Sequence, residues 1–342
     1  MAEMSTNEAG PPIARLDRDF DRRNRSATLS LMSHPDGDKH HFVPQSYLRR
    51  WADAGEVRVV NIATGRRTRG GVGVTAMKRG FYAIDSYAED PNAVEKAFWS
   101  VEDPGKRVID KIVNGKKGDV WPLSLDDRVA LGAYIALQAL RGPEQRRLMQ
   151  SLQDDMLERE TRFVEEHGAA KWFANHGLPL TEERARDAWD SEVGAGKSLV
   201  DIDALYHAQR IANGSDTVMN LFLSRYWTLV RFDTPSLITS DVPVSLNDAH
   251  DERREWGFQN APSISLPLNR TTALILGAVY PSQSEDETRA LLNGAFDREA
   301  EGNDTWAQRL NARTVHNAEH ELYFHPDDAA LISSELPTRN DS

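Results

Sequence analysis

The sequence predicts a single α+β domain, with a largely helical middle and a sheet built from N- and C-terminal strands. Three observations carry that expectation. Short β-branched runs with alternating polarity occur at residues 56–62 and again between 226 and 324. Between them, residues 91–223 place apolar side chains at helical spacing. Nothing repeats at a fixed period, so the strands at both ends belong to one fold. The expected organisation is a disordered leader over 1–38, the domain over 39–330 and a flexible tail over 331–342.

The leader carries Gly10, Pro11 and Pro12, then Arg15, Arg18, Arg22, Arg23 and Arg25 interleaved with Asp17, Asp19 and Asp21. Such mixed charge buries no core and cancels most of the field that would hold a polyanion. Val57 and Val59 alternate with polar partners, which predicts a strand, and Gly65, Gly70 and Gly71 punctuate a following loop or hairpin. Residues 81–84 read as a short buried strand. A helix is expected from residue 91 to about 113, with Pro104 and Gly105 interrupting it.

Ser124 reads as an N-cap, with Asp126 and Asp127 in the first turn of a helix whose residues 129–140 are apolar nearly all round. That helix is expected at the centre of the fold, ending at Gly142 and Pro143. Residues 144–166 predict a long charged helix with a narrow apolar stripe through Leu148, Leu152, Met156 and Phe163. Short helices and loops follow to residue 200, then an amphipathic helix over 199–223. Strands are expected at 226–232, 237–239, 263–268, 272–276 and 321–324, with helices at 284–296 and 303–315.

A net charge of -12 over 342 residues disfavours a broad nucleic-acid surface, although a local basic groove remains compatible with it. The absence of cysteine excludes disulfides, thiol catalysis and zinc–thiolate sites. No apolar run approaches the roughly 18 residues of a membrane helix, and no signal-peptide core follows the N-terminus.

The residues that point to function begin with His40 and His41, followed by Val43, Pro44, Tyr47, Leu48 and Trp51. This H-H-x-V-P-x-x-Y-L-x-x-W string resembles the opening of a bacterial family, domain of unknown function 4238. Later segments are similar to the same family in the same order. They are the aromatic element Gly80-Phe81-Tyr82, a helix with Glu95 and Glu102, the helix end from Gln138 through Arg141 to Pro143, and Thr239-Ser240-Asp241-Val242-Pro243-Val244. The likeness spans residues 39 to 325 and implies a fold and the location of a site, not a substrate. With no membrane segment, the expected location is the bacterial cytoplasm.

Each candidate has a structural reading beside its chemical one. Imidazole is a base, an acid and a metal ligand near neutral pH. Adjacent residues on a strand point to opposite faces, so the pair need not act as a unit: either one lines a pocket while the other packs, or both are a strand-end pair fixing the chain entry. The same string resembles half of a histidine–metal-finger nuclease motif, but no histidine lies between His41 and His167 to complete it. Glu95 and Glu102 are seven apart and share a helix face, which suits a divalent cation, acid–base work or plain solvation. Gln138 and Arg141 are i, i+3 neighbours; Arg141 caps the helix end or clamps an anion with its planar fork. Ser240 and Asp241 are ordinary turn formers, yet a strand end is also where ligand groups are placed. His316 and His320 read as surface histidines.

The favoured reading is a hydrolase with His40, His41, Asp241 and Glu102 as catalytic groups and Arg141, Gln138 and Ser240 binding substrate. A divalent metal and a phosphoester or nucleic-acid substrate are the expectations attached to it. The rival class is a non-catalytic ligand-binding or interaction protein.

Overall fold

A computed structural model describes residues 39–79, 93–192, 204–247, 257–333 and 336. The 1–38 leader, the aromatic element at 80–82, the strand expected at 81–84, the side chain of Glu95 and most of the 331–342 tail lie outside the described residues.

The fold is α+β as expected, with helices in the middle and sheets made from both ends. Strand β1 (Lys39–His41) pairs antiparallel with β4 (Met77–Arg79). Between them lie the short helix α1 (Gln45–Leu48) and the hairpin β2 (Glu56–Asn61) with β3 (Arg67–Gly71). The middle is α2 (Ala93–Asn114), α3 (Leu125–Arg141), α4 (Pro143–His167), α5 (Ala169–Asn175), α6 (Glu182–Glu192) and α7 (Ala204–Leu223). The C-terminal part adds β5 (Arg225–Arg231), β6 (Thr239–Ser240), β7 (Ser245–Asn247), β8 (Ser263–Asn269), β9 (Thr272–Val279), α8 (Glu285–Leu292), β10 (Arg298–Glu301), α9 (Asp304–Asn317) and β11 (Glu321–Phe324).

Two larger sheets result. One has the order β10-β5-β9-β8-β7 and is entirely C-terminal. The other has the order β3-β2-β11-β6, so the N-terminal hairpin is completed by the last strand, with Leu322 between Val60 and Ser240. The valines of β2 suit a pleated surface and bury Val57, Val59 and Val60.

The helix expected to break at Pro104 runs through it: α2 is continuous from Ala93 to Asn114. Pro104 removes one backbone donor, but packing holds the helix together. A Cβ at Gly105 would lie 2.3 Å from the Tyr134 Cβ, so α2 and α3 approach closely where glycine leaves room. Ser124 caps α3 as expected, accepting from the Asp127 backbone N–H at 3.2 Å. α3 packs between α2 and α7 and is buried along most of its length.

One large core fills the space between these helices and the five-stranded sheet. A buried cation ties the two layers. Arg128 of α3 pairs with Asp297, donates to the Arg225 carbonyl at 2.7 Å and sits 4.3 Å above the Trp227 ring. Neither partner of that pair is exposed, so losing one would strand the other's charge. A smaller core lies under the four-stranded sheet, and a third is confined to the α4–α6 region.

Candidate functional site

The N-terminal string is first of all an anchor. Val43, Tyr47, Leu48 and Trp51 are all buried in the main core. The Tyr47 hydroxyl donates to the Pro267 carbonyl at 2.6 Å and bonds the Thr239 hydroxyl at 2.8 Å. Pro267 has no N–H for the ladder and sits where the β8–β9 register shifts. Arg50 donates to the Ser46 carbonyl at 3.0 Å and reaches Asp110 of α2 at 2.7 Å. The histidine string and the T-S-D element are therefore neighbours, joined through Tyr47 and Thr239.

Three of the expected site residues meet at the end of α3. The Arg141 guanidinium is buried, bonds the Glu102 carboxylate from α2 and donates to the His41 carbonyl. It also lies 5.5 Å over the Phe98 ring. Burial lowers the His41 pKa below its ordinary 6.5, and the positive charge of Arg141 adds to that, although a hydrogen bond to the Gly73 backbone opposes it. His41 therefore carries a neutral ring at neutral pH. Its Nε2 is buried and has no hydrogen-bond partner among the described residues.

Gln138 stands on the same face of α3, one turn before Arg141, and Tyr134 one turn earlier again. The Gln138 amide oxygen and nitrogen and the Tyr134 hydroxyl are all buried without a partner among the described residues. Burial and the nearby Glu102 charge push the Tyr134 hydroxyl far above the usual tyrosine range. Buried polar atoms are nearly always satisfied in native proteins, by protein, water or a bound molecule. Tyr134 was not singled out from sequence. Its i, i−4 spacing to Gln138 was visible, but a tyrosine in an apolar helix reads first as core.

The remaining candidates sit elsewhere. Asp241 accepts from the backbone N–H groups of Glu319 at 2.8 Å, His320 at 2.7 Å and Glu321 at 3.2 Å, and bonds neither imidazole. Burial outweighs those three bonds and pushes its pKa up to about 6. Ser240 closes its own turn, accepting from the Val242 N–H at 3.1 Å and donating to the Val242 carbonyl at 2.9 Å. His40, on β1 opposite Lys78, is fully buried. Among the described residues, no three His, Asp or Glu side chains gather to hold a metal ion. His320 is largely exposed, as a surface histidine should be.

The comparison with known families decides the affiliation: the protein of unknown function family DUF4238 matches residues 39–328. The chain belongs to the DUF4238 family. No curated protein and no solved structure matches it. The match covers β1 through to the turn after β11, so both the Arg141 cluster and the Tyr47–Thr239 junction lie inside the DUF4238 region. Among the described residues, no helix is long and apolar enough to cross a membrane.

Proposed function

We propose that this DUF4238 protein binds a small, neutral, polar ligand at the cluster of His41, Glu102, Tyr134, Gln138 and Arg141. One observation carries the reading. The Gln138 amide and the Tyr134 hydroxyl are buried on one helix face with no partner among the described residues. An amide can donate twice and accept twice, so Gln138 is a natural group for recognising hydroxyls or amides. The charge of Arg141 is already matched by Glu102, and His41 is neutral, so the cluster has no surplus cation for a phosphoester. That favours the binding class over the phosphoesterase expectation.

A hydrolytic step at the same site is the second reading, and the His41 ring favours it. A neutral imidazole with an unpartnered Nε2 is equipped to take a proton from water. Asp241 and Ser240 have no part in this step, because their polar atoms are engaged in backbone turns.

A thermal-shift screen against neutral polyols, amides and nucleosides tests the binding reading. A stabilising ligand whose effect disappears in Gln138→Leu and Tyr134→Phe supports it. A shift that persists in both variants places the ligand elsewhere. For hydrolysis, p-nitrophenyl acetate and p-nitrophenyl phosphate are the probes. Acetate cleavage lost in His41→Ala, and persisting below the ordinary imidazole value of about 6.5 before it falls in acid, is expected; phosphate cleavage indifferent to His41 would sink the mechanism.

A further inference from the structure

Strand β3 forms one edge of the four-stranded sheet, and among the described residues no strand lies beyond it. The ladder with β2 fixes which backbone groups that edge offers. The Asn61 N–H donates to the Arg66 carbonyl and the Val72 N–H to the Gly55 carbonyl, each at 3.0 Å. Bonds of an antiparallel pair recur at every second residue, so Thr68 and Gly70 also turn their groups toward β2. Arg67 and Arg69 therefore turn their backbone N–H and C=O groups outward. The side chains of the same two residues are exposed and share one face of the sheet. Arg58 of β2 stands directly opposite Arg69 on that face, and like charges so placed destabilise a sheet. Glu56 answers only part of this charge. It lies 3.5 Å from Arg69 with both side chains half exposed, and a pair of that kind contributes at most about 1 kcal/mol. Arg67 donates to the Ser333 carbonyl at 3.3 Å, a neutral partner. The face thus sets three guanidinium groups against one carboxylate.

We propose that β3 is a docking edge for an extended acidic segment of a partner protein, which joins the sheet as a further strand with carboxylates over Arg67 and Arg69. In such an addition the backbone groups supply the attraction and the side chains choose the partner. Arg67 and Arg69 are about 7 Å apart along the strand, the spacing of residues i and i+2 in any strand laid beside them. The matching pattern is therefore acid-x-acid. Charged residues on an edge also keep it from pairing with itself. A second copy of β3 would bring arginine against arginine, whereas an acidic strand meets the opposite sign. The net charge of -12 opposes a long nucleic acid, while a short strand meets only the local cations.

Two peptides of one composition test the proposal on the full chain by calorimetry. TEVEVET, with alternating glutamates, should bind with a Kd on the order of 100 µM and slow hydrogen exchange at the Arg67 and Arg69 amides. TVEEEVT, and TEVEVET methylated at its backbone nitrogens, should bind at least about tenfold more weakly. The double variant Arg67→Glu, Arg69→Glu should lose TEVEVET and gain TKVKVKT, a gain that a misfolded chain could not show. No binding of TEVEVET up to about 1 mM overturns the proposal. Equal binding of TVEEEVT or of the methylated peptide does so too, because charge alone would then explain it. A twelve-nucleotide oligothymidylate that binds more tightly than TEVEVET, and is lost in the double variant, would make the edge a nucleic-acid site instead. Self-association in sedimentation that the double variant abolishes would give the edge to a second copy.

Discussion

A glutamine amide buried without a partner costs a fold about 1–3 kcal/mol. At Gln138 that cost predicts an unusual outcome for a core substitution. Gln138→Leu should raise the urea midpoint of the ligand-free protein by roughly 1 kcal/mol of stability, while removing ligand-induced stabilisation. Arg141 predicts the reverse. Arg141→Leu leaves Glu102 and the His41 carbonyl without their donor and should cost about 3–5 kcal/mol in the same measurement. Asp241 makes the residue-scale case for pH. Its folded pKa is about 6 against the ordinary carboxylate value of 3.8, so the folded state holds the proton more tightly than the unfolded chain. The stability it contributes is full below about pH 4 and is lost as pH rises through 6. The stability gap between wild type and Asp241→Asn, which cannot titrate, should therefore narrow by up to about 3 kcal/mol between pH 4 and 6.5 in thermal melts. A gap that widens with pH would show that the three backbone N–H donors outweigh burial.

At the scale of elements, the family's motifs act as joints. Tyr47 connects α1 to β6 and β8 through one hydroxyl. Tyr47→Phe keeps the ring and removes those bonds, so chemical denaturation should report a loss of about 1–2 kcal/mol without a change in fold. The α2–α3 contact is the other joint. Gly105→Ala gains helix propensity of about 1 kcal/mol but drives a methyl into Tyr134. Overpacking of that kind costs about 1–3 kcal/mol. The expected net effect is destabilisation, read as a lower urea midpoint, because Tyr134 is wholly buried and its Cβ cannot move without α3.

For the molecule as a whole, the four-stranded sheet depends on the chain's last strand. β11 stands between β2 and β6, so it joins the N-terminal hairpin to the C-terminal part. Truncation after residue 317 should therefore abolish cooperative unfolding and expose the β2–β3 amides to hydrogen exchange. The apolar stripe of α4 belongs to this scale too: of its four residues, Phe163 packs on the small core while Leu148, Leu152 and Met156 lie exposed.

The sequence by itself determined the class, the order of the long elements, and the family. Strands at 56–62, 263–268 and 272–276 and the helix cap at Ser124 were legible because local alternation and capping chemistry need no partner to be recognised. β1, β4, β7 and β10 were not, being three or four residues of mixed polarity that extend only because another strand offers its edge. Pro104 misled for the same reason, since tertiary packing, not propensity, holds α2 together there. Of the candidate cluster, the sequence singles out His41 with His40 by their adjacency, Glu102 by its spacing from Glu95 and its place beside Pro104, and Gln138 and Arg141 as polar groups on an apolar helix. Only the tertiary structure decided that Arg141 reaches His41 and Glu102, that Asp241 bonds the 319–321 backbone instead of an imidazole, and that Tyr134 joins the cluster. A residue's type limits which hydrogen bonds it makes; which partner it meets is set by chain segments about 40 to 100 residues away, and their arrival is a property of packing.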